Sequence, residues 1–311
     1  MNDRPQISVV LATYNRRQSL PRAIASVLAQ QDVAFELVVV DDASTDDTRS
    51  YLATLDDPRV RVIAAERNAG PSAARNIGIE AAGADVIAFL DSDDVYRPRR
   101  LAASLAALAD PDIVCALSSS LTASRDKPRE ARIPDVKLAA PAFEWALTCD
   151  LFPVEASGMT VRRAAAVAVG GFCTELRFAE DRELLIRLSR RGGGQLLSDI
   201  LWEKSWSADG LSNDWSKHGL GFLKFIGQRP EFVTRYPRLG SYFAVKVLVR
   251  DLRAKSWRAF WRDLKAFWSS RLIGANPWAL MRNHREVGRY RRAMSTREAL
   301  SAITGPPEVW R

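Results

Sequence analysis

Apolar and polar residues come in blocks along the first two thirds of the chain. Residues 7–12 (Ile-Ser-Val-Val-Leu-Ala), 35–40 (Phe-Glu-Leu-Val-Val-Val), 60–64 and 86–90 (Val-Ile-Ala-Phe-Leu) are short runs rich in β-branched and aromatic side chains. Runs of this length with little alternation predict strands buried on both faces. Segments that start like helices lie between them: 19–29 with Pro21 in its first turn, 47–55, and 72–81 capped by Ser72. Strand and helix alternate with short links, which predicts a mostly parallel sheet with right-handed crossovers. The pattern continues with helix 99–108, strand 113–119, helix 143–149, strand 158–162, helix 163–169, helix 179–190 and strand 196–206. Residues 120–141 are charged and broken by prolines, and predict a mobile loop over the sheet edge that carries the chemistry.

Composition sharpens this picture. The chain has 311 residues, 47% of them hydrophobic, ample for a core. Three cysteines, Cys115, Cys149 and Cys173, show no paired spacing and predict a reducing compartment rather than a disulfide framework. No Cys/His cluster points to zinc, because the only histidines are His218 and His284. The polar residues 1–6 lead straight into a strand and do not read as a signal peptide. No apolar run reaches the roughly 18 residues that span a bilayer. Net charge is +8 but uneven: residues 206–311 hold 20 basic and 8 acidic residues, leaving 25 basic and 29 acidic in 1–205. An acidic part is thus joined to a basic part suited to an anionic partner.

The candidate chemistry sits where two apolar runs stop. Residues 86–90 end in Asp91-Ser92-Asp93-Asp94, and residues 35–40 end in Asp41-Asp42. Open α/β sheets bind ligands just past the C-terminal ends of their strands. Asp91 and Asp93 are two apart and share a face in an extended segment, so their charges repel. A divalent cation with oxygen ligands would offset that repulsion. An Asp-rich turn capping the following helix accounts for the same residues.

Five segments in this order resemble the family 2 inverting glycosyltransferases, which have the GT-A fold. They are Val9-Val10-Leu11-Ala12-Thr13-Tyr14-Asn15, Val39-Val40-Asp41-Asp42-Ala43-Ser44-Thr45-Asp46, Asn68 to Gly78, Phe89-Leu90-Asp91-Ser92-Asp93-Asp94, and Glu180-Asp181. The likeness covers about residues 7–212. It implies a Rossmann-like GT-A domain over residues 1–212, and the charge and helical pattern of the rest predict a basic, mainly helical extension over 213–311. It also implies transfer of a sugar from a nucleotide-sugar donor, most often a UDP-sugar. Thr13, Tyr14, Asn15, Asp41, Asp42, Arg75, Asp91 and Ser92 would bind that donor, with Asp41 accepting from the uracil N3–H. Asp91-Ser92-Asp93 matches the family's Asp-X-Asp motif, and Asp93, with Asp91, would hold Mn²⁺ or Mg²⁺ across the two phosphates. Asp181 would be the general base, with Glu180 and Gly158 on the acceptor side.

This chain departs from the family's pattern in one place. Many members carry an Arg-X-His-like segment after the base, and Ser205 to Ser212 here has no His; Asp209 is the residue available in its stead. The Gln-X-X-Arg-Trp motif of processive synthases is missing, which favours addition of one sugar to a glycan or lipid-linked acceptor. A nucleotidyltransferase would open with a Gly-rich phosphate loop, and none follows residues 7–12. A catalytically inactive scaffold at the membrane is the other alternative, and Asp91, Asp93 and Asp181 together speak against it.

The basic extension has its own pattern. Between residues 243 and 273, Val245, Leu248, Val249, Leu252, Phe260, Trp261, Leu264, Phe267 and Trp268 recur at helical spacing among Lys246, Arg250, Arg253, Arg258, Arg262 and Lys265. This predicts a basic amphipathic helix with an aromatic stripe, suited to an anionic membrane surface. The expected location is cytoplasmic, peripheral on the inner face of the membrane. Nucleic acid is not expected, because no binding motif accompanies the charge.

Overall fold

The computed structural model describes residues 4–123, 128–205, 218–274 and 276–305. In chain order the first part runs β1 (Ile7–Thr13), α1 (Leu20–Leu28), β2 (Phe35–Asp41), α2 (Thr48–Leu52), β3 (Val60–Ala64), α3 (Pro71–Ala81), β4 (Val86–Asp91), β5 (Val95–Tyr96) and α4 (Arg100–Ala107). The middle part has β6 (Ile113–Thr122), β7 (Arg129–Ala131), β8 (Val136–Leu138), α5 (Ala140–Thr148), β9 (Met159–Arg162), α6 (Arg163–Ala168), α7 (Glu180–Leu188) and β10 (Gly193–Lys204). Helices follow: α8 (His218–Gln228), α9 (Glu231–Thr234), α10 (Pro237–Arg253), α11 (Trp257–Ser269), α12 (Pro277–Ala293) and α13 (Arg297–Ser301).

One ten-stranded sheet has the order β3-β2-β1-β4-β9-β6-β10-β5, with β7 added to β6 and β8 to β10. Strands β1 to β4 are parallel, as the alternating pattern predicts, and β9 enters antiparallel between β4 and β6. Register fixes the chemistry: Thr13 lies opposite Asp41, and Ala12 opposite Asp91. The acidic ends of β2 and β4 therefore reach the same sheet edge, on either side of β1.

Both sheet faces are covered. Val9 and Leu11 point into a cluster with α1 and α4, while Val10 points the other way, into a cluster with α3. Gly78 of α3 lies so close to that face that a Cβ would come 2.3 Å from Val10 Cγ1. Only a residue without a side chain lets α3, and the Arg75 it carries, approach β1 this closely.

Three sequence expectations are corrected. The segment 120–141 is not a loop over the active edge. It continues β6, returns through β7, and buries Ile133, Val136 and Leu138, with β8 pairing at the start of β10. Three-residue strands between prolines are too short to carry a period, so only their burial reveals them. Ser72 does not cap α3: Gly70 holds the cap position at φ 91° and Pro71 opens the helix. Residues 243–273 do not form one helix. The chain breaks between α10 and α11, where Lys255 takes φ 53°. Phe267 is fully buried, so the stripe is split between core and surface.

The C-terminal helices share a core with the sheet. Phe222 of α8 meets Phe267 of α11 edge-on with centroids 5.9 Å apart. Trp145 of α5 packs on Tyr236 at 5.2 Å and donates from Nε1 to the Tyr290 hydroxyl of α12 at 2.9 Å. Arg291 pairs with Asp150 at 2.6 Å. The expected junction near residue 212 lies outside the described residues, as does Asp209. No helix among the described residues is long and apolar enough to cross a membrane.

Candidate active site

The loops after β1 and β2 brace each other. Asn15, at φ 51°, accepts from the Thr45 amide through Oδ1 at 2.8 Å and donates its own amide to Ser44 Oγ at 2.9 Å. Asp41 is 1% exposed; its Oδ2 accepts from Arg49 Nε at 2.7 Å and from the Ser44 amide. Asp42 is also buried and accepts from the Ala69 and Gly70 amides at 2.9 and 2.8 Å. Both carboxylates thus hold the frame: Asp41 closes its own loop, and Asp42 fixes the start of α3. Thr13 is buried beside them, while the Tyr14 side chain projects toward solvent.

The centre of the site is the end of β4. Arg75, buried at 6% exposure, donates from Nη2 to Asp91 Oδ1 at 2.6 Å and from Nη1 to Glu180 Oε1 at 3.2 Å. Its guanidinium lies over the Phe172 ring at 5.2 Å. One cation thereby ties the first acid of Asp91-Ser92-Asp93 to the start of α7, where Asp181 sits. Ala179 precedes that helix at φ 55°, and Asp181 Oδ1 accepts from the Arg182 amide at 2.8 Å.

Asp93 faces Arg16 at 3.9 Å, a loose pairing. Asp94 is buried and differently engaged. Ser157 Oγ donates to its Oδ2 at 2.6 Å and accepts from the Asp91 amide at 3.0 Å. The Ser205 amide donates to Asp94 Oδ1 at 3.1 Å. Asp94 therefore locks the acidic turn to the segment before β9 and to the end of β10. Ser92 is buried in that turn. Gly158 is buried too: a Cβ there would meet Trp202 Nε1 at 3.0 Å and the Ser118 carbonyl at 3.2 Å.

Electrostatics separates the carboxylates. Burial, and then the charge of Asp91, push the Asp93 carboxyl above its usual range, with Arg16 pulling the other way. Asp94 is raised strongly by burial and again by Asp91. Burial and then Glu180 push Asp181 up to about 7, partly opposed by the Arg182 amide and Arg75. Burial works against the charge of Arg75, but Asp91 and Glu180 more than restore it. Lys204, paired with Glu155, adds a further positive charge beside Asp94 and Asp91.

The donor set fits a divalent cation only in part. Asp91 and Asp93 repel each other at partial burial, and Asp91 has one oxygen on Arg75. Among the described residues no group of three or more His, Cys, Asp and Glu forms a ready-made cage. A cation here would draw its other ligands from phosphate oxygens and water, as Mg²⁺ commonly does. Two participants and one contact escaped the sequence reading. Arg16 follows Asn15 in a loop already placed at the edge, a usable signal. Ser157 carried none, and the Arg75–Glu180 pair joins residues 105 apart.

The sequence and the fold have known counterparts. A succinoglycan biosynthesis protein, ExoO of Rhizobium meliloti, is 54% identical over 97 residues, 31% of this chain and 28% of that protein. The putative colanic acid biosynthesis glycosyl transferase WcaA of Escherichia coli is 40% identical over 108 residues, 34% of this chain and 39% of that protein. The chain thus matches well under half the length of these relatives. Among solved structures, TarS 1–349 of S. aureus in complex with UDP-GlcNAc superposes with TM-score 0.59 at 17% identity, covering 85% of this chain and 92% of that one. A mannosyltransferase of Pyrobaculum calidifontis in complex with GDP-Man and Mn²⁺ gives TM-score 0.60 at 20% identity, covering 96% and 85%. At such identities these two establish the GT-A fold. The family model for glycosyl transferase family 2 matches residues 8–166, more than half of the chain, and this glycosyltransferase belongs to that family.

Proposed function

We propose that this enzyme moves one sugar, with inversion, from a UDP-sugar to a hydroxyl of a lipid-linked or surface-polysaccharide acceptor. The observation that carries the reading is the Arg75 bridge. It ties the Asp91–Asp93 turn, read here as the diphosphate side, to the start of the Asp181 helix, read here as the acceptor side.

Asp93 and Asp91 would hold Mn²⁺ or Mg²⁺, which when bound neutralises charge growing on the departing diphosphate. The chain's own residues do the rest. The braced loops with Thr13, Tyr14 and Asn15, fixed by Asp41 and Asp42, form the wall for the base. Arg75 and Glu180 orient the start of α7. Asp181 takes the acceptor's proton as the hydroxyl attacks the anomeric carbon, and Oδ2 is the oxygen left to receive it. A base held near pH 7 is matched to that task. With the acceptor attacking opposite the leaving group, one carboxylate suffices and no covalent intermediate forms.

The acceptor class draws support from relatives named for succinoglycan, colanic acid and teichuronic acid biosynthesis. UDP as donor nucleotide draws support from the complexes of TarS, and Mn²⁺ from that of the mannosyltransferase. The test is a panel of UDP- and GDP-sugars incubated with the purified protein, with and without Mn²⁺. Slow hydrolysis of a UDP-sugar that stops on chelation is the expected result. Preference for GDP-sugars, or turnover indifferent to chelation, overturns the donor or the metal part.

A further inference from the structure

Exposed large apolar side chains cluster in two helices. Trp257, Trp261 and Trp268 of α11 are 59%, 64% and 56% exposed, and Trp278 of α12 is 77% exposed. The three on α11 are spaced four and seven apart, which places them within about 40° of one another around the helix. The opposite side of α11 is anchored, with Ala259, Asp263 and Phe267 buried. Arg258 and Lys265 border one side of the tryptophan face and are exposed.

The second helix repeats the design. Trp278, Met281, Arg282, Arg285 and Arg289 line one hollow of about 260 Å³ on α12. Val287 faces inward, and Arg291 of the same helix is tied to Asp150. Both α11 and α12 pack on α10, so the two faces belong to one helical unit.

We infer that the exposed faces of α11 and α12 are a docking surface for an anionic lipid bilayer. Charge complementarity selects that occupant: the apolar residues are rimmed by Arg258, Lys265, Arg282, Arg285 and Arg289, with no carboxylate in the hollow. Side-chain type selects it too. Tryptophan sits at the boundary between acyl chains and headgroups, where a ring can be half wet. The guanidiniums around Trp278 suit lipid phosphates. The surface is thus not the continuous stripe expected over 243–273. It excludes the buried Phe267 and gains α12. The inference is independent of the donor chemistry proposed above, because it is read by binding alone.

The experiment is flotation of the full-length protein with phosphatidylcholine vesicles, with or without one third phosphatidylglycerol. Binding to the anionic vesicles only, weakened at 1 M salt, is expected. Each basic side chain near an anionic surface is worth about a fivefold gain, so Arg282→Gln with Arg285→Gln and Arg289→Gln should weaken partitioning by roughly 10²-fold. Trp257→Ser with Trp261→Ser and Trp268→Ser should remove the part that survives salt. These side chains are exposed, so circular dichroism and donor hydrolysis should be unchanged. Failure to bind anionic vesicles at low salt overturns the inference. So does binding that neither set of variants weakens. A dimer in sedimentation that the tryptophan variants dissolve also overturns it, because the face would then belong to a second copy.

Discussion

The tryptophans of this glycosyltransferase live in two worlds. Trp145 and Trp202, in the part that contains the sheet, are buried at 2% exposure and both indole N–H groups find acceptors. Trp257, Trp261, Trp268 and Trp278, in the C-terminal helices, are more than half exposed. Some arginines show the same contrast, although Arg229 and Arg291 of the helical part are paired with Glu231 and Asp150. Arg75 and Arg100 are buried and donate to named oxygens, whereas Arg258, Arg282, Arg285 and Arg289 surround open indoles. A buried charge that is paired cannot be moved without cost, so the sheet edge is rigid by construction. An exposed aromatic-basic face has no partner among the described residues, which points to a partner outside it. The two regions should therefore respond to substitution in opposite ways.

The largest effect is expected at Asp181. Asp181→Asn should keep donor binding and lose transfer by a factor of about 10²–10⁴, the usual range for a missing general base. Titration calorimetry with donor and single-turnover assays read the two halves of this claim. In the unsubstituted enzyme kcat/KM should rise through pH 7, because Asp181 must lose its proton to act and its carboxyl is held near 7. Near-normal turnover in the variant would assign the proton to another group.

Asp93→Ala should come next. Metal-dependent donor affinity is expected to vanish while the far-ultraviolet spectrum stays the same, because the Asp93 pairing with Arg16 is loose. Donor affinity that still falls on chelation would remove Asp93 from the cation site. Asp94→Ala is the contrasting change. Asp94 is bonded to Ser157 and to the Ser205 amide, so its loss should lower the melting temperature first and donor affinity second.

Arg75→Met tests the bridge itself. It leaves Asp91 and Glu180 facing each other without their shared cation. Removing one partner of a buried pair costs about 3–5 kcal/mol, and the partial exposure of Asp91 argues for the lower end. Chemical denaturation measures it. A variant as stable as the parent would mean that the bridge only orients α7.

How far the sequence reached follows the same division. Strands β1, β2 and β4 were legible because a buried parallel strand must be an unbroken apolar run. The meeting of Asp41 and Asp91 at one edge followed from parallel pairing alone. What stayed hidden needed tertiary contact. Asp41 read as an acceptor for the nucleotide base, and its pairing with Arg49 carried no sequence signal. Arg75 read as a neighbour of the nucleotide, and its partner Glu180 comes from a distant helix. The break before α11 has neither Gly nor Pro; Ala254, Lys255 and Ser256 carry it, so periodicity ran across it unmarked. In that helical part the pattern gave amphipathicity but not which aromatics turn inward.

The smallest effect lies inside the helical unit and asks whether it too has a paired interior. Asp251 of α10 and Asp263 of α11 are buried side by side, with Arg250 and Arg262 beside them. Burial and then the Asp263 charge push Asp251 up to about 6, against the pull of Arg250. A carboxyl raised in the folded state favours folding most while protonated. That contribution is full below the unfolded value near 3.8 and is lost as pH rises through 6. Asp251→Asn mimics the protonated form at every pH. It should match the parent near pH 3 and exceed it at pH 8 by at least about 1 kcal/mol, or roughly 2 °C in melting temperature. Scanning calorimetry at the two pH values reads the difference. If the variant is instead less stable than the parent at pH 8, then the charged Asp251 serves Arg250 and Arg262, and α10 and α11 are held by ion pairs like those at the sheet edge.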